Sequence, residues 1–195
     1  MPRKYNSEKR KQLESKLRQR IVEATVALHA EKGPFATSYK DIATKADVAV
    51  PTVYKNFPDL SALFFACTRH AAAQAPSQSE EMFAGISGWR KRVAVLVRAR
   101  CKVHAYFDPW LKWGGDRVVP EVISLLQEDR EMTRKLIIKA LSPVYVSGKV
   151  PREIMSMGLL LLGYQSWANL HIQSGITQKQ IETYLTNTIC KLVEK

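Results

Sequence analysis

Between Thr37 and Lys55 the chain collects hydroxyls, amines and small apolar side chains at spacings that suit a polyanion. Thr37, Ser38 and Lys40 stand where a short helix would open, and hydroxyls with free backbone N–H groups at such a place suit phosphate oxygens. Val50 and Pro51 could press on thymine methyls, Thr52 and Tyr54 could bond the sugar-phosphate backbone, and Lys55 could donate to a guanine edge or a phosphate. A second constellation is Cys67 with His70 and Cys101 with His104, two Cys-x-x-His pairs that on facing helices would make a Cys2His2 zinc site. Both pairs also fall on apolar helical stripes, where buried Cys and core His belong, and the compact loop of a zinc motif is missing. No metal and no cofactor is expected. Catalysis finds no support either: there is no phosphate-cradling glycine loop, no serine elbow, and four histidines without a constellation.

The elements that must hold these residues can be read from the pattern around them. Ser38 and Asp41 fit a capping box, with Ile42, Ala43 and Ala46 as the inward face of one short helix. Asp47 stands where the chain must reverse and tolerates a left-handed backbone. Val48 can plug the angle, and Pro51 suits the first turn of a second helix. Val53 and Phe57, four apart, share its buried face, which turns Pro51, Thr52, Tyr54 and Lys55 outward. Two short helices joined by a tight turn are the shape of a helix-turn-helix DNA reader.

Upstream, Leu13, Leu17, Ile21, Ala24 and Leu28 recur at steps of three and four and predict a first helix, stopped by Gly33-Pro34. Downstream, Phe57-Pro58-Asp59 breaks the chain and Leu60 to Gln74 resumes as helix. Residues 75–88 read as a linker. The stripe Trp89, Val93, Leu96, Val97, Cys101, His104, Phe107 predicts a long helix, and Asp108-Pro109 and Gly114-Gly115 bracket a short aromatic segment. Further helices are predicted from about Pro120 to Leu141, from Pro151 to about Gln173, and from a capping box at Thr177 and Gln180 through Val193. No strand pattern is present, so the expected class is all-α.

The 195 residues hold 30 Lys or Arg against 18 Asp or Glu, a formal charge of +12 that predicts a polyanionic partner, nucleic acid before an anionic membrane. Half of it lies in residues 1–20, where Arg3, Lys4, Lys9, Arg10, Lys11, Lys16, Arg18 and Arg20 oppose Glu8 and Glu14. This basic arm is expected on phosphates rather than on bases. Cys67, Cys101 and Cys190 are too scattered for a disulfide framework, and no apolar stretch is long enough to span a bilayer, so a cytoplasmic protein without membrane contact is expected.

Residues 21–64 resemble the DNA-binding domain of TetR-family transcriptional regulators. The resemblance rests on Ile21, Ala24, Leu28, Gly33, Phe35, Thr37, Ser38, Ile42-Ala43, Ala46, Val48, Val50 through Phe57, and Ala62-Leu63. The chain departs from the family at Asp47, where Gly is usual, at Ala49, often Ser, and at Leu60, often basic. The resemblance implies a basic arm over 1–20, a three-helix helix-turn-helix DNA-binding domain over 21–68, and a helical effector-binding and dimerisation domain over 69–195. It also implies a ligand-responsive regulator, most simply a repressor, whose dimer binds a double-stranded palindromic operator and is released by a small-molecule effector. The effector cavity would lie among the central helices, where His104, Phe107, Trp110, Trp113, Tyr145, Tyr164, Trp167 and His171 supply aromatic surface with a few polar tips. Residues 152–172 are apolar on more than one side. The last helix can cover one side and a second copy of the pair the rest, giving a four-helix homodimer interface; burial within the monomer is the alternative. Two rival readings remain, a non-specific architectural DNA binder driven by the arm and a basic helical protein acting at anionic membranes; a metal sensor is a variant of the main reading.

Overall fold

The structure is a computed structural model of the chain that describes residues 7–114 and 120–194; Arg3 and Lys4 of the basic arm, and Gly115, lie outside the described residues. All regular structure among the described residues is helical. The chain divides into two compact units, one within Met1–Gln74 and Pro109–Ile123, the other within Ala75–Asp108 and Ser124–Lys195.

The first unit holds α1 (Ser7–Lys32), α2 (Tyr39–Lys45), α3 (Val50–Asn56) and α4 (Leu60–Ala73). Ile21, Val22, Ala24 and Leu28 of α1 form its core with Ile42, Ala43 and Ala46 of α2, Val53 of α3, Phe57, and Leu63 and Cys67 of α4. Leu13 at the other end of the stripe stays 60% exposed, so the buried stripe begins near Leu17. The capping box forms as the spacing predicts: the Ser38 hydroxyl accepts from the Asp41 N–H, and the Asp41 carboxylate accepts from the Ser38 N–H. α4 is capped by Asp59, whose Oδ1 accepts from the Ala62 N–H at 2.6 Å.

Gly33 ends α1 for two reasons. Its φ is +81°, in the left-handed region, and a Cβ there would lie 2.9 Å from the Trp113 indole. Trp113 is present because α5 (Trp89–Leu111) does not stop at Asp108-Pro109 as the sequence suggested. Pro109 falls in its last turn, where it removes one ladder hydrogen bond close to the helix end, and the residues that follow belong to the first unit. Trp110 donates its Nε1–H to the Val26 carbonyl at 2.9 Å. Trp110 and Trp113, expected among effector-binding aromatics, thus brace the first unit.

The second unit packs most of α5, α6 (Pro120–Leu141), α7 (Arg152–Leu161), the short α8 (Tyr164–Ala168) and α9 (Gln178–Val193) around one core. The expected linker is partly structural: a 3-10 turn at Glu80–Phe83 drives Phe83 into this core, leaving it 2% exposed. The single helix expected from Pro151 to Gln173 is broken. α7 ends at Leu161, Gly163 is extended (φ −81°, ψ 155°), and α8 runs on into a π-helical turn at Asn169–Gln173. The break frees the Leu162 carbonyl, which accepts from His104 Nε2 at 2.8 Å and Arg100 Nε at 3.4 Å. Arg100, 4% exposed, is paired in turn with Asp129 through two bonds of 2.8 and 2.9 Å. The chain kinks where buried donors on α5 need an acceptor.

Gly33→Ala should lower the stability of the first unit by about 1–3 kcal/mol, through left-handed strain and displacement of the Trp113 ring. Chemical denaturation followed by tryptophan fluorescence checks this, and an unchanged midpoint would refute the close approach.

Candidate nucleic-acid interface

Helix α3 is two turns long and carries the presented surface. Val53 and the following Phe57 are fully buried and fix which side faces inward. Pro51 in the first turn, Tyr54 at 51% exposure and Lys55 face outward, with Val50 and Thr52 half-buried at the edge. The turn before α3 has the geometry its residues predict. Asp47 takes φ +52°, and the Val48 N–H returns to the Ala43 carbonyl at 3.0 Å, so the reversal is tight without glycine. Ala49 stands at the N-cap and offers no side-chain bond.

Three residues outside the expected site set the posture of this pair. Arg18 on α1 donates to the Asn56 carbonyl at 2.6 Å and lies over the Phe57 ring at 3.9 Å. Arg20 donates to the carbonyls of Ala46 and Asp47 at 2.6 and 2.8 Å. Each guanidinium therefore meets the carbonyl end of a reader helix, where partial negative charge collects. Tyr39 stacks on Tyr54 (ring centroids 4.2 Å apart, planes 9° from parallel) and donates its hydroxyl to the Phe57 carbonyl at 2.9 Å. The hydrogen-bond partners lie 18 to 38 residues away in sequence, so no local spacing could disclose them. Arg18 and Arg20 were expected to serve phosphate; both are engaged inside the fold.

The opening of α2 is also corrected in part. Thr37 is 8% exposed and its hydroxyl donates to the Gly33 carbonyl at 2.7 Å, so this side chain holds the end of α1 rather than facing outward. The Ser38 hydroxyl is bound to Asp41, and Asp41 also pairs with Lys32 at 2.9 Å. Bonds from Ser38 and Lys32 hold the Asp41 carboxyl well below the usual carboxylate range. Lys40 is exposed beside them. The outward surface thus comprises Ser38, Lys40, Pro51, Tyr54 and Lys55, with the half-buried Thr52 at its edge and Leu60 exposed at the start of α4.

Residues 21–67 match the model of a protein family described as bacterial regulatory proteins, tetR family. The chain carries a TetR-family DNA-binding domain. Its fold is that of solved TetR-type regulators. A tetR-family transcriptional regulator from Streptomyces coelicolor superposes with a TM-score of 0.65 at 19% identity, over 91% of this chain and 80% of that one. GusR from Salmonella enterica gives 0.59 at 18% identity, over 92% and 96%. The multidrug binding protein EbrR, solved with imidazole, gives 0.56 at 18%, over 96% and 93%. No curated protein matches the chain. The domain and the fold are those of DNA-binding transcriptional regulation.

In the second unit, four of the eight residues expected around an effector come together. His104 lies 6.0 Å from Tyr164 and 6.3 Å from Trp167, and Trp167 lies 4.9 Å from His171, measured between ring centroids. Tyr164 donates its hydroxyl to Asp108 at 2.8 Å. Tyr145 packs at the edge of the core, and Phe107 meets Tyr106 edge-on. The space between α5, α6, α7 and α9 is a void of about 10 Å³, too small for more than a single water. The Trp167 indole N–H is nonetheless buried without a hydrogen-bond partner. Of the two Cys-x-x-His pairs, the Cys67 thiol faces the Val22 carbonyl at 3.7 Å and His104 serves Leu162. No group of three potential metal ligands occurs among the described residues, and burial pushes both Cys67 and Cys101 up to about 12, away from the thiolate a metal needs.

Two outcomes follow. Arg20→Met, which keeps the stem and removes the guanidinium, should destabilise the first unit by about 1–2 kcal/mol in urea unfolding; no loss would mean the carbonyls of Ala46 and Asp47 do not need it. Burial lowers His29 and His104 to about 4 from 6.5. The unfolded chain therefore takes up protons below about 6.5 that the fold refuses until about 4, so stability is full above that range and falls as pH drops through it. Denaturation midpoints at pH 7.5 and 5 should differ accordingly, and equal midpoints would contradict the burial.

Proposed function

We propose that a homodimer of this chain binds a palindromic double-stranded operator through two copies of α3 and represses transcription until a small molecule bound in the second unit releases it. The observation that carries the reading is the outward surface of α3, Pro51, Thr52, Tyr54 and Lys55, on a helix whose opposite side is fully buried. A short helix so fixed can enter a major groove while Ser38 and Lys40 approach the flanking phosphates. Lys55 is the strongest candidate for a base edge, and Thr52 and Tyr54 for the backbone.

Dimerisation is supported by apolar side chains left exposed on the last helices: Met157 at 39% and Leu160 at 61% on α7, Tyr184 at 49% on α9. A second copy of the same helix pair would cover them. Effector response is supported by the cluster of His104, Tyr164, Trp167 and His171, whose orphan indole N–H awaits an acceptor. An effector that favours the wrongly spaced dimer weakens operator binding, and operator must weaken effector binding by the same factor. No helix of the described residues is long and apolar enough to cross a membrane, and the reading places the protein in the cytoplasm with no catalytic role.

Selection from random duplexes should yield a palindromic site preferred over unrelated DNA by about a thousandfold or more. Lys55→Ala should weaken binding to that site by about 1–3 kcal/mol in fluorescence anisotropy, with the oligomeric state and melting temperature unchanged. Binding to all duplexes alike would leave an architectural DNA binder instead, and an unaffected Lys55→Ala would remove that residue from the interface.

A further inference from the structure

We propose that the corner where α6 ends and α7 begins is a binding site for a small organic anion, with a phosphate or carboxylate head and a short apolar body. A cleft of about 460 Å³ opens there, within the size range of small-molecule sites. Three cationic side chains line it, Arg134 from α6, Lys149 from the connection and Arg152 from α7, and no acidic side chain does. Ser156 adds a hydroxyl, while Ile138 and the buried Met155 supply an apolar wall.

The chain holds these groups in place. Gly148 takes φ +72°, and bonds from its N–H to the Tyr145 carbonyl (2.8 Å) and from the Val150 N–H to its own carbonyl (3.2 Å) fold the connection into a defined turn that carries Lys149. Among the described residues the one acidic neighbour bonded to a lining cation is Glu131, 3.3 Å from Arg134 Nε, an exposed pair that leaves the Nη edge of the guanidinium for a ligand. Pro151 precedes α7 without a side-chain cap, and Glu153 in the same first turn does not line the cleft. Three like charges around one cleft repel each other, and an anion converts that repulsion into attraction. A bare inorganic ion would leave most of the volume and the Ile138–Met155 wall unused, which is why an apolar body belongs to the ligand.

This site shares no residue with the α3 surface or with the aromatic cluster, and it stands whether or not those act as proposed. The test is isothermal titration of the full chain with phenyl phosphate, octanoate, inorganic phosphate and neutral benzyl alcohol. One or both organic anions should bind with a Kd below about 1 mM, more tightly than inorganic phosphate, and benzyl alcohol should not. Which anion binds better identifies the head as phosphate or carboxylate. Lys149→Gln with Arg152→Gln should weaken that binding by about tenfold or more, with unchanged circular dichroism. Arg134→Gln alone should give a smaller loss in the same direction. The proposal is overturned if no organic anion binds, if benzyl alcohol binds as well, if inorganic phosphate binds equally tightly, or if the double variant binds as the parent does.

Discussion

A seven-residue helix cannot hold itself in water, since nucleation costs more than so few hydrogen bonds return. Everything α3 presents therefore depends on what its other side is fastened to. Val53 and Phe57 remove that side from solvent, Arg18 and Arg20 close the carbonyl ends of the reader pair, and Tyr39 ties α2 to both Tyr54 and the Phe57 carbonyl. The outward residues inherit their direction from these contacts. Substitutions on α1 can thus alter what α3 presents without touching DNA.

The same logic runs through the second unit with different chemistry. Arg100 and His104 are buried donors on one side of α5, and an unbroken helix beside them would have kept its carbonyls for itself. Breaking the chain at Gly163 yields a free carbonyl at Leu162, and Asp129 neutralises the guanidinium that the break brings in. Removing Asp129 alone would leave a buried charge without its counterion, a larger loss than the pair contributes as a whole. Gly158 serves the packing in another way, since a Cβ there would come within 3.2 Å of the Ile137 side chain. α7 can therefore lie close along α6 before it breaks.

The legible part of this fold was local. The capping boxes at Ser38 and Thr177, the left-handed Asp47 and the buried pair Val53 and Phe57 depend on residues within four positions of each other, and all formed as their types require. What escaped was non-local. Nothing within a turn of Leu162 announces that His104 needs its carbonyl, so Pro151 to Gln173 read as one helix. Trp110 and Trp113 look like cavity aromatics until Gly33 and Val26 come to meet them. Thr37 looks like a phosphate ligand until Gly33 offers a carbonyl. The outward residues of α3 were legible because the amphipathic period alone assigns them; the aromatic cluster was only half legible because aromatic side chains serve cores and cavities equally well.

Charge shows most directly how composition and placement differ. The net +12 draws the chain toward any polyanion, but a cation bound to a backbone carbonyl adds to the long-range field while offering fewer hydrogen-bond donors to a phosphate. Arg18 and Arg20 are in that position, and Arg100 is neutralised by Asp129 within the second unit. Lys40 and Lys55 remain exposed beside and on α3, and Lys149 and Arg152 stand exposed on the second unit. On the proposed reading, encounter with DNA is governed by the whole charge and weakens steeply with salt, whereas the choice of sequence would rest on the few exposed side chains of α3. The two properties are separable, because the residues that supply most of the field are not those that can read a base.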